Sequence, residues 1–153
     1  MFHVVLYEPE IPQNTGNIAR LCAATGTILH LIEPLGFFWD DPRAKRAGLD
    51  YWEAVEIRRH RGWAAFLAAH PRAHLWLFST KGKRSYAEES YAPDDFLVFG
   101  PETRGLPEEI LQADPGRCLR IPMRPGIRSL NLANAVAIVL YEALRQQGFP
   151  GLD

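Results

Sequence analysis

The chain has 153 residues, a net charge of −1 at pH 7 and 47% hydrophobic residues. This length suits one domain with one sizeable core, and the composition is that of a soluble globular protein. The sequence has no apolar run long enough to span a bilayer, and its first residues lack the basic segment and cleavage site of a signal peptide. We therefore expect a cytoplasmic protein in which residues 1–153 form a single domain.

Short apolar runs alternate with helical patterns along the chain. Several of these runs are almost continuously apolar, as expected of parallel strands buried on both faces. The predicted strands cover residues 2–7, 28–32, 54–57, 75–78, 96–99 and 117–121. The alternation predicts an α/β fold with a mostly parallel sheet and helices on both faces. The ordinary rules for chain connections then predict an unknotted, right-handed, doubly wound sheet.

Capping residues and prolines define the predicted helices, which cover residues 14–25, 63–69, a short segment after 107, and 129–147. Asn14 is a favourable N-cap residue, and Gly26 occupies the C′ position at the other end of the first helix. Pro71 stops the second helix, and Pro107 suits the first turn of the third.

Polar segments follow four of the predicted strands, where open parallel sheets bind their ligands. In the first, residues 12–20, a helix N-terminus offers free N–H groups to an anion, and Arg20 lies on that helix. An alternative is a capped helix with a surface arginine. In the second, residues 78–84, hydroxyls at Ser79 and Thr80 precede cations, although the spacing of a Walker A loop is absent.

The third and fourth segments cover residues 99–107 and 121–135. In the third, the missing Cβ of Gly100 would let a ligand approach the backbone, and Glu102 could accept hydrogen bonds or pair with an arginine. A tight turn with surface charges is the alternative. In the fourth, a basic loop leads to Ser129 and Asn131 at a helix start. Ser129 could simply be the N-cap, and Met123 in the same segment could simply be a packing residue.

Several other classes of site find no support. The five histidines are scattered without HxxxH or HExxH spacing, so we expect no metal site and no Ser-His-Asp triad. The absence of GxGxxG argues against a dinucleotide-binding Rossmann domain. Cys22 and Cys118 lie far apart and indicate two reduced thiols.

Three motifs occur in order across nearly the whole chain. They are Asn14-x-Gly16-Asn17-Ile18-x-Arg20, Phe99-Gly100-Pro101-Glu102-x-x-Gly105, and Ile121-Pro122 followed by Ser129-Leu130-Asn131-Leu132-x-x-Ala135. Together they resemble the three motifs of the SPOUT RNA 2′-O-methyltransferases. The short chain without an added RNA-binding domain, and segments 6–12, 47–52 and 141–143, are similar to the tRNA (cytidine/uridine-34 2′-O)-methyltransferases in particular.

The resemblance implies a C-terminal trefoil knot, an obligate homodimer and no metal. It implies methyl transfer from S-adenosylmethionine, which becomes S-adenosylhomocysteine, to the ribose 2′-hydroxyl of the wobble nucleotide, position 34, of tRNA. The cofactor-binding positions it implies are Phe78, Thr80, Gly100, Glu102, Ile121, Met123, Ser129 and Leu130. The positions it implies for the reaction are Asn14, Arg20, Glu102, Ser129 and Asn131.

Within the family the favoured base for the 2′-hydroxyl proton matches Arg20. Because arginine is effectively always protonated, our hypothesis is that Arg20 holds the adjacent phosphate and lowers the pKa of the hydroxyl. Ser129 or Asn131 would hydrogen-bond nearby, and Glu102 would orient Arg20 or a loop donor. The basic clusters 43–46 and 58–61 are candidate tRNA contacts.

Two alternatives to this function stay open. One is a 2′-O-methyltransferase that acts on another position of tRNA or on ribosomal RNA. The other is a non-catalytic RNA-binding module.

Overall fold

The structure is a computed structural model that describes the backbone of residues 1–153 and the side chains of residues 1–47 and 52–153. Its strands are β1 (His3–Tyr7), β2 (Ile28–Ile32), β3 (Ile57–His60), β4 (Leu75–Phe78), β5 (Arg84–Ser85), β6 (Phe96–Phe99) and β7 (Cys118–Arg120). They form one sheet in the order β3-β2-β1-β6-β4-β7-β5, and all neighbouring pairs are parallel.

The helices are α1 (Pro12–Thr25), α2 (Pro42–Gly48), α3 (Trp63–Ala69), α4 (Glu108–Ala113) and α5 (Leu132–Gln146). Three 3-10 turns lie at Leu49–Ala54, Tyr86–Glu88 and Pro115–Arg117. Among the helices of the described chain, none has both the length and the apolar content needed to cross a bilayer.

Successive residues of each central strand point into two separate cores. In β1, Val4 and Leu6 contact the core beneath α1 and α5, whereas Val5 contacts the core beneath α3 and α4. The predicted α/β fold with helices on both faces is therefore confirmed. The apolar stripe of α5 is buried in the first core at Leu132, Val136, Leu140 and Leu144.

The strands that are buried on both faces lie where the sequence predicts them. At the edges of the sheet, the observed strands differ from the predicted ones. The predicted bounds of β2, β4 and β6 are those observed. The predicted strand at 54–57 is wrong, because β3 begins only at Ile57. Arg58 and Arg59 within β3 are exposed, as suits an edge strand. Because these residues are polar, the sequence pattern did not indicate a strand here. Sequence reasoning also missed β5 and α2.

Two predicted helix starts are corrected. α1 begins at Pro12 rather than at Asn14, and Asn14 is a buried residue of its first turn. The N-cap of α5 is Asn131, whose side chain accepts a hydrogen bond from the backbone N–H of Asn134, so Ser129 is not the cap. At the other end of α1, Gly26 adopts the left-handed conformation at φ 67°, as predicted.

The fold gathers histidines that lie far apart in the sequence. His3, His30, His60 and His70 form a group, called here the histidine cluster, on the α3 side of the sheet. Burial lowers the pKa of His30 to about 2 and that of His3 to about 4, and it also lowers the pKa of His60 and His70. These shifts favour the neutral form of all four rings at pH 7. The spacing of histidines in the sequence gave no sign of this group.

Candidate active site

A cavity of about 300 Å³ opens at the carboxyl ends of β4, β6 and β7. Its walls are the loops that follow these three strands and the first turn of α5. The parallel sheet places these loops side by side, because the carboxyl ends of its strands share one edge. The lining includes 78–81, 99–106, 121, 123, 128–130, Leu132 and Ala135.

Residues from distant parts of the sequence meet in this cavity. Every position that the resemblance implies for cofactor binding lines it: Phe78, Thr80, Gly100, Glu102, Ile121, Met123, Ser129 and Leu130. Seven further lining residues were not among the predicted site positions: Ser79, Lys81, Thr103, Arg104, Leu106, Arg128 and Leu132. All seven lie inside the polar segments that follow the predicted strands, so their position beyond a strand end was the available signal.

A chain of hydrogen bonds links three of the predicted reaction residues. Glu102 accepts a bond from the side-chain amide of Asn14 at 3.2 Å, and the Asn14 carbonyl oxygen accepts one from the side-chain amide of Asn131 at 3.1 Å. Asn14 is only 6% exposed, so its amide depends on these partners. The chain joins α1, the loop after β6 and the start of α5.

Glu102 also holds the backbone that leads into α1. Its two carboxylate oxygens accept bonds from the backbone N–H groups of Glu10 and Ile11, each at 2.8 Å. These are the N–H groups just before the helix, which lack partners within it. The carboxylate of Glu102 thus orients backbone donors of the loop after β1.

A second set of hydrogen bonds joins the same two loops, with the acceptor now on the loop after β1 and the donors on the loop after β6. The carboxylate of Glu10 accepts bonds from the backbone N–H and the hydroxyl of Thr103, both at 2.8 Å. These donors hold the pKa of Glu10 below its usual value. Arg104 adds an ion pair with Glu8 at 3.3 Å. The loop after β1 and the loop after β6 thus form a reciprocal clamp at the edge of the cavity.

The other two predicted reaction residues are Ser129 and Arg20. Ser129 lines the cavity and is exposed. Arg20 is also exposed and lies six residues beyond Asn14, about 9 Å further along α1. It is not among the described residues that line the cavity.

Acidic side chains partly neutralise the two basic clusters predicted to contact tRNA. In the cluster 43–46, the guanidinium of Arg43 pairs with Asp41 at 2.8 Å. In the cluster 58–61, Arg58 pairs with Glu56, and Arg59 pairs with Glu33 at 3.0 Å. The other basic residues of the two clusters, Lys45, Arg46 and Arg61, are exposed to solvent.

Gly100 has a different role from the one expected. A Cβ at this position would lie 2.2 Å from the backbone nitrogen of Leu106 and 2.4 Å from the carbonyl carbon of Gly105. The loop's own backbone therefore occupies the space that we expected a ligand to use. The glycine lets residues 100–106 fold back on themselves and form one wall of the cavity.

Replacing Gly100 by alanine should lower the free energy of unfolding by about 1–3 kcal/mol, because the crowded backbone cannot yield without moving the loop. Urea denaturation measures this loss. Gly116→Ala is the matched control, since its nearest contact would lie at an ordinary 3.7 Å, and it should change stability by less than about 0.5 kcal/mol. Equal stability of the two variants would contradict this account of Gly100.

The chain matches the SpoU rRNA methylase family over residues 1–141. It is 57% identical over 152 residues to the tRNA (cytidine(34)-2′-O)-methyltransferase of Escherichia coli strain K12, covering 99% of this chain and 97% of that protein. A solved structure described as giving structural insights into the 2-OH methylation of C/U34 on tRNA superposes with a TM-score of 0.93 and 53% identity, covering 97% of each chain.

A more distant solved structure is the AdoMet-bound rRNA methyltransferase of Sinorhizobium meliloti. It has 28% identity and a TM-score of 0.83, and the match covers 94% of this chain and 56% of that one. The match thus extends across nearly the whole chain, including the three motifs and the loops that line the cavity. The resemblance inferred from those motifs is confirmed, and the chain belongs to the SpoU rRNA methylase family.

Proposed function

We propose that this protein transfers a methyl group from S-adenosylmethionine to the ribose 2′-hydroxyl of nucleotide 34 of tRNA, a cytidine or a uridine. The observation that carries the proposal is the cavity, in which all the implied cofactor positions meet beside the Glu102–Asn14–Asn131 chain. The choice of position 34 rests on the relatives, since the Escherichia coli protein bears that activity in its name.

The cavity suits a nucleoside-containing cofactor. Its volume of about 300 Å³ lies at the lower end of the range for small-molecule sites. Phe78, Leu106, Ile121 and Leu132 give it apolar walls for a flat ring. The backbone groups of the loops after β4, β6 and β7 and the hydroxyl of Ser129 supply polar partners. When bound, S-adenosylmethionine supplies an activated methyl group on a sulfonium.

The side chains would act mainly by alignment, because the activated methyl group needs little further help. Glu102 and Asn14 fix the loop after β1 and the start of α5 against each other. Ser129, which lines the cavity, and Asn131, which caps α5 next to it, would contact the ribose. Arg20 would hold the adjacent phosphate through its two-pronged guanidinium and favour the deprotonated hydroxyl.

The proposal includes a homodimer and a trefoil knot. In support of the dimer, α5 is apolar on its outer side as well, where Ile138 is 37% exposed and Tyr141 is 44% exposed. Tyr141 lies beside Phe149, which is 40% exposed, so the apolar patch continues past the helix. The knot rests on the family resemblance, and the segment after β7 lines the same cavity as the two earlier loops. A tRNA substrate would place the enzyme in the cytoplasm.

A methyl-transfer assay tests the proposal. Purified protein is incubated with methyl-labelled S-adenosylmethionine and tRNA transcripts that carry cytidine or uridine at position 34. We expect label in the ribose of nucleotide 34, located by mass spectrometry of the digested tRNA. A transcript with a 2′-deoxyribose at position 34 should accept no label.

The two alternatives give different results in the same assay. Label at another position of tRNA, or in ribosomal RNA only, would show that the enzyme methylates that site instead of nucleotide 34. Binding of tRNA without any transfer of label, together with no binding of S-adenosylmethionine in calorimetry, would replace the enzyme by an RNA-binding module.

A further inference from the structure

The histidine cluster is a second concentration of chemically active side chains, separate from the cavity. It contains four of the five histidines of the chain. His30 is fully buried, whereas His60 and His70 are partly exposed. None of the four is among the described residues that line the cavity. Methyl transfer as proposed above has no use for them.

Three of these rings present nitrogen atoms to one another. Among the side chains that the structure describes, His30, His60 and His70 each offer one nitrogen such that all three atoms lie within 4.8 Å of one another. Nδ1 of His30 and Nε2 of His60 share a hydrogen bond at 2.9 Å. The rings of His30 and His70 lie 5.1 Å apart and nearly perpendicular, at 88°. Their nitrogens thus converge on one point from β2, β3 and the end of α3.

His3 lies behind His30 as a supporting partner. Nε2 of His30 and Nδ1 of His3 share a hydrogen bond at 2.8 Å. Nδ1 of His30 therefore meets His60, and Nε2 meets His3. Metal-binding histidines typically donate their second ring N–H to a hydrogen-bond partner, which fixes the tautomer and the ring orientation.

An aromatic side chain packs against all three converging rings. Phe66 lies 5.6 Å from His30, 5.2 Å from His60 and 5.4 Å from His70 between ring centroids. An apolar side chain in this position limits the access of water to the converging nitrogens. Its contacts with all three rings also restrict their movement, so the cluster holds the nitrogens in place.

We propose that His30, His60 and His70 bind one divalent transition metal of the kind that prefers imidazole, with Zn²⁺ the first candidate. Three imidazoles and one water complete the tetrahedral coordination of zinc, with zinc–nitrogen distances of about 2.0–2.1 Å. The nitrogens lie within 4.8 Å of one another, and rotation of the side chains would bring them to these distances from a shared ion. The bound metal joins β2, β3 and α3. It stabilises the fold and takes no part in methyl transfer.

Calorimetry with untagged protein, freed of metal by a chelator that is then removed, tests the proposal. We expect Zn²⁺ to bind with a stoichiometry of one and to raise the midpoint of thermal unfolding. The variants His60→Gln and His70→Gln should each weaken Zn²⁺ binding at least tenfold. These two positions are chosen because they are partly exposed, whereas a change at buried His30 endangers folding.

The control is His74→Gln, since His74 is exposed and lies outside the cluster. It should bind Zn²⁺ as tightly as the unaltered protein does. Circular dichroism of each metal-free variant verifies that it is folded. The proposal is overturned if the unaltered protein shows no saturable binding up to 100-fold excess Zn²⁺. It is equally overturned if the folded His60 and His70 variants bind as tightly as the control.

Discussion

Replacing Glu102 by glutamine should lower kcat/KM for tRNA methylation by about 10- to 100-fold. The carboxylate accepts bonds from Glu10, Ile11 and Asn14 with its two oxygens. An amide places an NH₂ group where one of these oxygens now lies. That NH₂ group would then face an N–H donor that has lost its acceptor. The start of α1 and the Asn14 amide then lose their fixed position beside the cavity. Steady-state assays with labelled S-adenosylmethionine measure the change.

The control for this experiment is Glu109→Gln, which removes an exposed carboxylate from α4 outside the cavity lining. It should leave the rate within a factor of about two, as expected for a surface change. Thermal unfolding of both variants separates a loss of activity from a loss of structure. A Glu102 variant as active as the unaltered protein would reject the alignment role.

Replacing Arg20 by lysine should lower kcat/KM by about 10- to 100-fold while leaving the affinity for S-adenosylmethionine unchanged. Lysine keeps the positive charge but cannot offer two parallel N–H donors to a phosphate. Rapid-quench assays measure the rate, and calorimetry measures cofactor binding. This expectation rests on the proposed function, and on the assignment of Arg20 to the substrate phosphate.

Arg72→Lys is the matched control, because Arg72 is exposed and lies before β4, at the opposite end of that strand from the cavity. It should show the unaltered rate. Methylation by the Arg20 variant at the same rate would contradict the two-pronged role. A rate that rises steeply in the lysine variant as the pH approaches about 10.4, the ordinary lysine pKa, would instead favour proton removal by residue 20.

The sequence was most informative for the centre of the sheet. The runs at β2, β4 and β6 are almost wholly apolar because both faces of these strands are buried, and such short apolar runs between turn residues are typical of central parallel strands. β3 lies at the edge, where one side of the strand meets solvent. Its Arg58 and Arg59 resemble a loop more than a strand, so the local pattern favours the preceding apolar residues as the strand.

The candidate site shows the same division between local and long-range information. The loops after β4, β6 and β7 could be identified because ligands bind beyond the ends of parallel strands. The partners of Asn14 could not, since Glu102 lies 88 residues away and Asn131 lies 117 residues away. An asparagine near a helix start favours a capping role on local grounds, and only the tertiary fold shows otherwise. Methyl transfer and the tRNA target came from the family resemblance.

The long-range contacts of β1 and α1 have a consequence for the order of events during synthesis. β1 pairs with β2 early, but its other neighbour is β6, whose Phe96 lies opposite His3. A chain still growing on the ribosome can therefore form only the β3-β2-β1 side of the sheet until residue 99 has emerged. The side chain of Asn14 gains its second partner later still, because Asn131 follows it by 117 residues. The first turn of α1 therefore holds one part of a site whose other part is synthesised more than 100 residues afterwards.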